Sequence, residues 1–202
     1  MEIFDEYFKL TSKDSMSWLD NAKILKISSD ILYDILYKAY NTQKKLKRNE
    51  AEKKLLGKIS GVYGQDQELI DEKNKLLSTI KTYYLLSGYA LENLIKGLSI
   101  ENNRSLSYDD ILSLWKKHAS HGHAISKIAN DNFNDLSSIE NDILTKLEDY
   151  ILWKGKYPLP IKESEYKPLN FDSYDKQIID HLFEKIESLL ITRWKDNQKQ
   201  NN

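Results

Sequence analysis

Residues 116–125 read KKHASHGHAI and carry three of the four histidines in a chain of 202 residues. Neutral imidazoles are good ligands for zinc and related divalent ions, which makes His118, His121 and His123 candidate metal ligands. The same residues beside Lys116 and Lys117 also have the composition of an acid/base site, and cationic histidines suit the C-terminal end of a helix. Spacing argues against a metal site on one helical face. His118 and His121 can share a face, but Gly122 breaks or bends the helix before His123. No metal and no cofactor are therefore expected.

A second pair with chemical potential is Glu92 and Lys96, four residues apart in the order that makes a good helical ion pair. Most such pairs are solvated. Glu92, however, sits beside an apolar stripe one turn from Gly88, where a carboxylate can be half-buried and held by a partner from another element, with Lys156 as the candidate partner. The basic run KKLKR at 44–48, with Lys53 and Lys54 after it, could contact phosphates, and Tyr83, Tyr84, Trp153 and Tyr157 could stack on bases. Interleaved Glu50 and Glu52 favour a solvated helix face for the run, with the tyrosines filling a core.

Sharper signatures are missing from the sequence. It holds no glycine-rich phosphate loop, no HExxH, no G-x-S-x-G and no calcium-loop pattern. With no cysteine there is no disulfide, thiolate metal site or cysteine nucleophile. Apolar residues make up 40% and charged residues 30%, with a net charge of −1, which fits a folded globular chain and excludes a basic polymer that coats nucleic acid. The opening MEIFDEYFKLTSKD is acidic and mixed, unlike a secretory signal, and no stretch approaches about 18 uncharged apolar residues. The expectation is a cytoplasmic protein with no membrane span.

The elements that must position these residues are helices. All three prolines lie between 158 and 168, and three of the seven glycines between 57 and 64, leaving long segments without a breaker. From Ser17, residues Trp18, Ala22, Leu25, Leu32, Leu36 and Ala39 recur on one helical face, with Ser17 and Asp20 resembling a capping box. A peripheral charged helix is expected over about 42–57. A central helix follows from about Asp66 to Ile100, its stripe marked by Leu77, Tyr84, Leu91 and Leu98 and thickened by Ile80, Gly88 and Ile95. Ser107 with Asp109 and Asp110 starts another helix that runs into the histidines. Leu136, Ile139, Ile143, Leu147, Tyr150 and Ile151 mark a further helix ending near Gly155. The last runs from about Tyr174 to Trp194, before a tail at 196–202 expected to fray. The sum is a single all-α domain over 1–202, a bundle of five or six helices with its core at about 15–195 and one long, proline-rich connection before the last helix.

Three segments, GYALENLIKGLSI at 88–100, SHGHAISKIA at 120–129 and YILWKGKYPLP at 150–160, resemble a group of bacterial HEPN-like helical proteins. Tyr89, Glu92, Asn93 and Lys96 match a Y-x-x-E-N-x-x-K helix, and Gly122 with His123 matches a G-H turn. Trp153, Gly155, Tyr157, Pro158 and Pro160 match a W-x-G-R-Y-P-x-P strap. An aspartate often found after the histidine is Ala124 here, and Lys156 stands where arginine is usual. The resemblance implies an all-α bundle, usually a homodimer, in a superfamily that includes RNA-cleaving toxins and phage-defence factors. Tyr89, Glu92, Lys96, Trp153, Lys156 and Tyr157 are then the candidate binding residues for RNA, a nucleotide or a partner protein.

Nuclease members share an R-x4-6-H motif in which arginine grips phosphate and histidine serves in acid/base cleavage. The arginines here, Arg48, Arg104 and Arg193, include none at that distance before a histidine. Lys117 to His123 gives K-x5-H, without the bidentate guanidinium fork. The expected function is a non-catalytic or divergent HEPN-like protein, within a phage-defence or toxin–antitoxin system. The alternative is a metal-independent ribonuclease using His123, His118 and Lys117.

Overall fold

The computed structural model describes residues 11–60, 67–118, 122–154 and 171–200. Helix α1 spans Ser15–Ser60, α2 Gln67–Asn102, α3 Tyr108–Lys116, α4 Ile125–Asn132, α5 Ser138–Asp149 and α6 Asp175–Gln200, with a π-helical turn at Tyr150–Lys154 directly after α5. Among the described residues there is no strand, and the protein is an all-α bundle. No helix among them is long and apolar enough to cross a membrane.

The segments expected as two helices before residue 57 form one helix of 46 residues. No glycine or proline stands between Ser15 and Leu56, so nothing in the backbone chemistry stops propagation once the first turn forms. Its start is set by Asp14 and not by Ser17: the Asp14 carboxylate accepts from the Met16 N–H at 3.1 Å and from the Ser17 hydroxyl at 2.6 Å. The expected cap at Ser107 is present, with the Ser107 hydroxyl accepting from the Asp110 N–H and the Asp110 carboxylate reaching back. A second box, Ser137 with Glu140, starts α5. Helix α4 was not anticipated. It is short, and its apolar residues Ile125, Ile128 and Ala129 had merged with the histidine turn in the sequence pattern.

Helix α2 is the central element. Ile80, Tyr84, Leu91, Ile95 and Leu98 are all buried, as the stripe requires, whereas Leu77 is 38% exposed and its place is taken by Leu76. Two glycines let neighbours approach this helix closely. A Cβ on Gly88 would stand 3.0 Å from Ile151 Cγ1 of the π-helical turn, and one on Gly97 would stand 3.1 Å from Leu190 Cδ2 of α6 and 3.2 Å from Trp18 Cβ of α1.

Charged networks lock the ends. Glu101, at the C-terminal end of α2, accepts from the Ser15 hydroxyl of α1 and from Asn197 Nδ2 of α6 at 2.8 Å. That second contact lies in the segment expected to fray, and α6 is helical through Gln200. Near the other end Asp175 receives hydrogen bonds from the Tyr84 hydroxyl and from Lys146. Between α1 and α6, Lys26, Asp30, Lys176 and Asp180 close an alternating ring with contacts of 2.7–2.8 Å.

Gly97 is where α1, α2 and α6 meet, so branching there must push α1 or α6 outward. Gly97→Val is expected to lower the free energy of unfolding by about 2 kcal/mol, read from urea denaturation, although valine by itself disfavours a helix less than glycine does.

Candidate functional site

The first candidate group that tertiary structure assembles is Glu92, Lys96 and His123. Glu92 and Lys96 follow one another on one face of α2, and both are buried. His123 comes 31 residues after Glu92, from the turn between α3 and α4. Gly122 adopts a φ of 67°, which carries the chain back over α2, and the Ile125 N–H donates to the His123 carbonyl at 2.9 Å. The start of α4 has no side-chain cap of its own. Glu148 of α5 serves instead, its Oε2 accepting from the Ser126 N–H at 3.4 Å and from the Ser126 hydroxyl at 3.0 Å.

Glu92 Oε1 accepts from Lys96 Nζ at 2.5 Å and contacts His123 Nδ1 at 2.7 Å. Burial alone pushes the Glu92 carboxyl up, but the hydrogen bond from His123 and the charge of Lys96 outweigh it and hold the group below the usual glutamate value. With the carboxylate ionised, Nδ1 must be the donor. In the neutral imidazole this leaves the lone pair on Nε2, the arrangement in which a carboxylate fixes the tautomer and orientation of a histidine. The His123 side chain is 32% exposed, so the imidazole bridges the buried pair and the surface. Glu92 Oε2 is buried and has no hydrogen-bond partner among the described residues.

Two tryptophans roof the lysine. Lys96 Nζ lies 5.0 Å from the Trp115 ring centroid and 6.0 Å from that of Trp18, and the two rings meet edge to face at 5.6 Å. Trp115 is itself anchored by its indole N–H to Ser99 Oγ at 3.1 Å. Glu92 and Lys96 are thus an ion pair, as the spacing indicated, but a buried one. The second partner of Glu92 is His123.

The other expected residues fare differently. His118 Nε2 contacts Asp131 Oδ2 of α4 at 2.6 Å, a bond that closes the α3–α4 turn. Lys117 caps the C-terminus of α3 and is exposed. Tyr89 is partly buried on α2, and its carbonyl accepts from Asn93 Nδ2 at 2.7 Å. Tyr83 and Tyr84 are core residues, so neither is placed to stack on a base. The lysines and arginine of the 44–48 run are exposed on α1. His121, Lys156 and Tyr157 lie outside the described residues, as does the side chain of Trp153, whose backbone belongs to the π-helical turn. Among the described residues no group of three His, Asp or Glu is arranged to hold a metal ion.

Asp131, Trp18 and Trp115 were missed as site residues. Trp115 carried a signal, an aromatic on the apolar side of a capped helix just before the histidines. Asp131 and Trp18 carried none that separates them from other surface acids or core aromatics. The protein is therefore an all-α bundle whose central helix buries a lysine–carboxylate pair under a histidine turn. Comparison with family models, with curated proteins and with solved structures finds no match to this chain.

Breaking one partner of a buried ion pair strands the other charge. Glu92→Leu and Lys96→Met are each expected to cost about 3 kcal/mol in urea unfolding, and the double variant less than the sum of the two. Because the folded-state pKa of Glu92 lies below its unfolded value, its stabilisation is complete above the ordinary glutamate range and is lost as pH falls through the depressed value. Wild-type stability should accordingly fall more steeply than that of the double variant as pH drops below about 4.5.

Proposed function

We propose that this chain is a HEPN-like helical protein that binds RNA or a nucleotide around His123 without cleaving it. The carrying observation is that, among the described residues, the cation buried beside His123, Lys96, is already neutralised by Glu92. Phosphoryl cleavage by this superfamily's chemistry needs a cation that grips the phosphate as well as an acid and a base. Lys96 is committed to Glu92, His118 to Asp131, and Arg104, the arginine nearest before the histidines in sequence, lies 3.7 Å from Glu101. The imidazole of His123, held by Glu92 and about a third exposed, is the part of this corner that reaches the surface.

In this reading Tyr89 contributes to binding, Trp153, Lys156 and Tyr157 are binding residues on the strength of the resemblance alone, and the protein works in the cytoplasm, as a homodimer, within a phage-defence or toxin–antitoxin system. Resemblance of the three sequence segments supports that setting. The ribonuclease alternative draws on the same oriented His123, since acid/base sites also use a carboxylate to hold the histidine in place.

One titration separates them. A fluorescently labelled single-stranded RNA of mixed sequence is followed by anisotropy, with a nucleoside triphosphate as competitor, and the same samples are run on a denaturing gel with and without EDTA. The expected result is saturable binding, intact RNA, and a loss of about tenfold in affinity for His123→Ala with unchanged circular dichroism. RNA cleaved by wild type and spared by His123→Ala establishes the nuclease instead. No binding of RNA or nucleotide up to about 100 µM overturns both ligand classes.

A further inference from the structure

Helix α1 is apolar on two opposite faces. Leu19, Ala22, Leu36 and Ala39 are buried against the bundle, as an amphipathic helix requires. On the far side Ile24, Ile27 and Ile31 are 62%, 62% and 60% exposed, and Ile35 is 40% exposed. The first three fall at successive spacings of three and four residues, the seam of a helix that packs on another helix. Among the described residues the core does not use these side chains, since the opposite face of the same helix supplies it. Clustered β-branched residues exposed at this spacing mark an association face, whereas apolar residues scattered singly need no partner.

The charges at the ends of the seam say what covers it. Continuing the alternation of four and three outward from Ile24 and Ile31 reaches Asp20 on one side and Asp34 then Lys38 on the other. Asp20, Asp34 and Lys38 are all exposed. A parallel copy would set Asp20 on Asp20 and Lys38 on Lys38. An antiparallel copy, related by a two-fold axis between Ile27 and Ile31, sets Ile27 of each chain on Ile31 of the other and Asp20 on Lys38 at both ends. Asp34 then lies beside Lys23, which also reaches Glu187 of its own chain at 2.8 Å. The seam from 20 to 38 is about 27 Å long, enough for a helix-pair contact at the small end of specific interfaces.

We infer that the Ile24–Ile35 face of α1 pairs with the same face of a second copy, antiparallel about a two-fold axis near Ser29. The pairing does not depend on ligand binding at His123, which lies on the α3–α4 turn. It locates a contact that the sequence resemblance leaves unplaced.

Light scattering coupled to size exclusion, supported by sedimentation velocity, tests it on the full chain. Wild type is expected at twice the chain mass at about 100 µM protein and to dissociate on dilution, as a contact of this size implies. Ile27→Glu with Ile31→Glu should give a monomer whose circular dichroism and urea midpoint are unchanged, since both side chains are largely solvent-facing in the single chain. Asp20→Lys alone should weaken the dimer at least tenfold, and adding Lys38→Asp should restore it, because the swap re-pairs opposite charges only in the antiparallel arrangement. A wild-type monomer at every concentration overturns the inference. So does a dimer that survives the glutamate substitutions, which would place the contact elsewhere, or one that the charge swap fails to rescue.

Discussion

A carboxylate buried to 4% exposure costs several kcal/mol in desolvation unless cations and donors replace the lost water, and at Glu92 they do so on Oε1 while Oε2 has no partner among the described residues. One oxygen takes both Lys96 and His123. Lys96 comes free with the helix, since a four-residue spacing brings it to the same face. His123 does not, and its contact requires the chain to leave α3, reverse at Gly122 and enter α4 with its side chain directed at α2. The geometry of the α3–α4 corner is therefore coupled to the electrostatics of the central helix. The tryptophans strengthen that coupling by removing water from the lysine, which raises the worth of every charge contact beneath them.

Around this corner polar networks tie the ends of the bundle. Glu101 draws together the first turn of α1, the end of α2 and the last turns of α6, while Asp175 joins the start of α6 to Tyr84 of α2 and Lys146 of α5. The middle depends on close apolar packing, made tight by Gly88 and Gly97. Helix α1 can serve the core with one face and present isoleucines with the other.

The π-helical turn at Tyr150–Lys154 fits this scheme. It follows α5 without interruption, and its Ile151 packs on Gly88, one turn before Glu92 along α2. Wider turns of this kind arise where side-chain packing outweighs ideal hydrogen bonding, often near functional sites. Here the turn keeps Tyr150 and Ile151 in the core.

Much of this fold was legible in the amino-acid order, for local reasons. Helix content followed from the placement of glycine and proline, the caps at Ser107 and Asp110 from residue chemistry within one turn, and the α2 stripe from its period. The Glu92–Lys96 pair was legible too, as a spacing. Its burial was not, because burial depends on Trp18 and Trp115, which come from two other helices. Nor was the bond to His123, since the partners are 31 residues apart and no local rule selects His123 over His118 or His121. Helical continuity from Ser15 to Ser60 was obscured by the change from an apolar to a charged face near residue 42, a change in what the helix touches and not in whether it is a helix. The sequence by itself thus determined the secondary structure and the supply of charged and aromatic groups, since these follow from interactions within a few residues. Only the tertiary structure decided which charges are buried together and which isoleucines are left outside, because desolvation is set by what packs on a side chain from the rest of the chain.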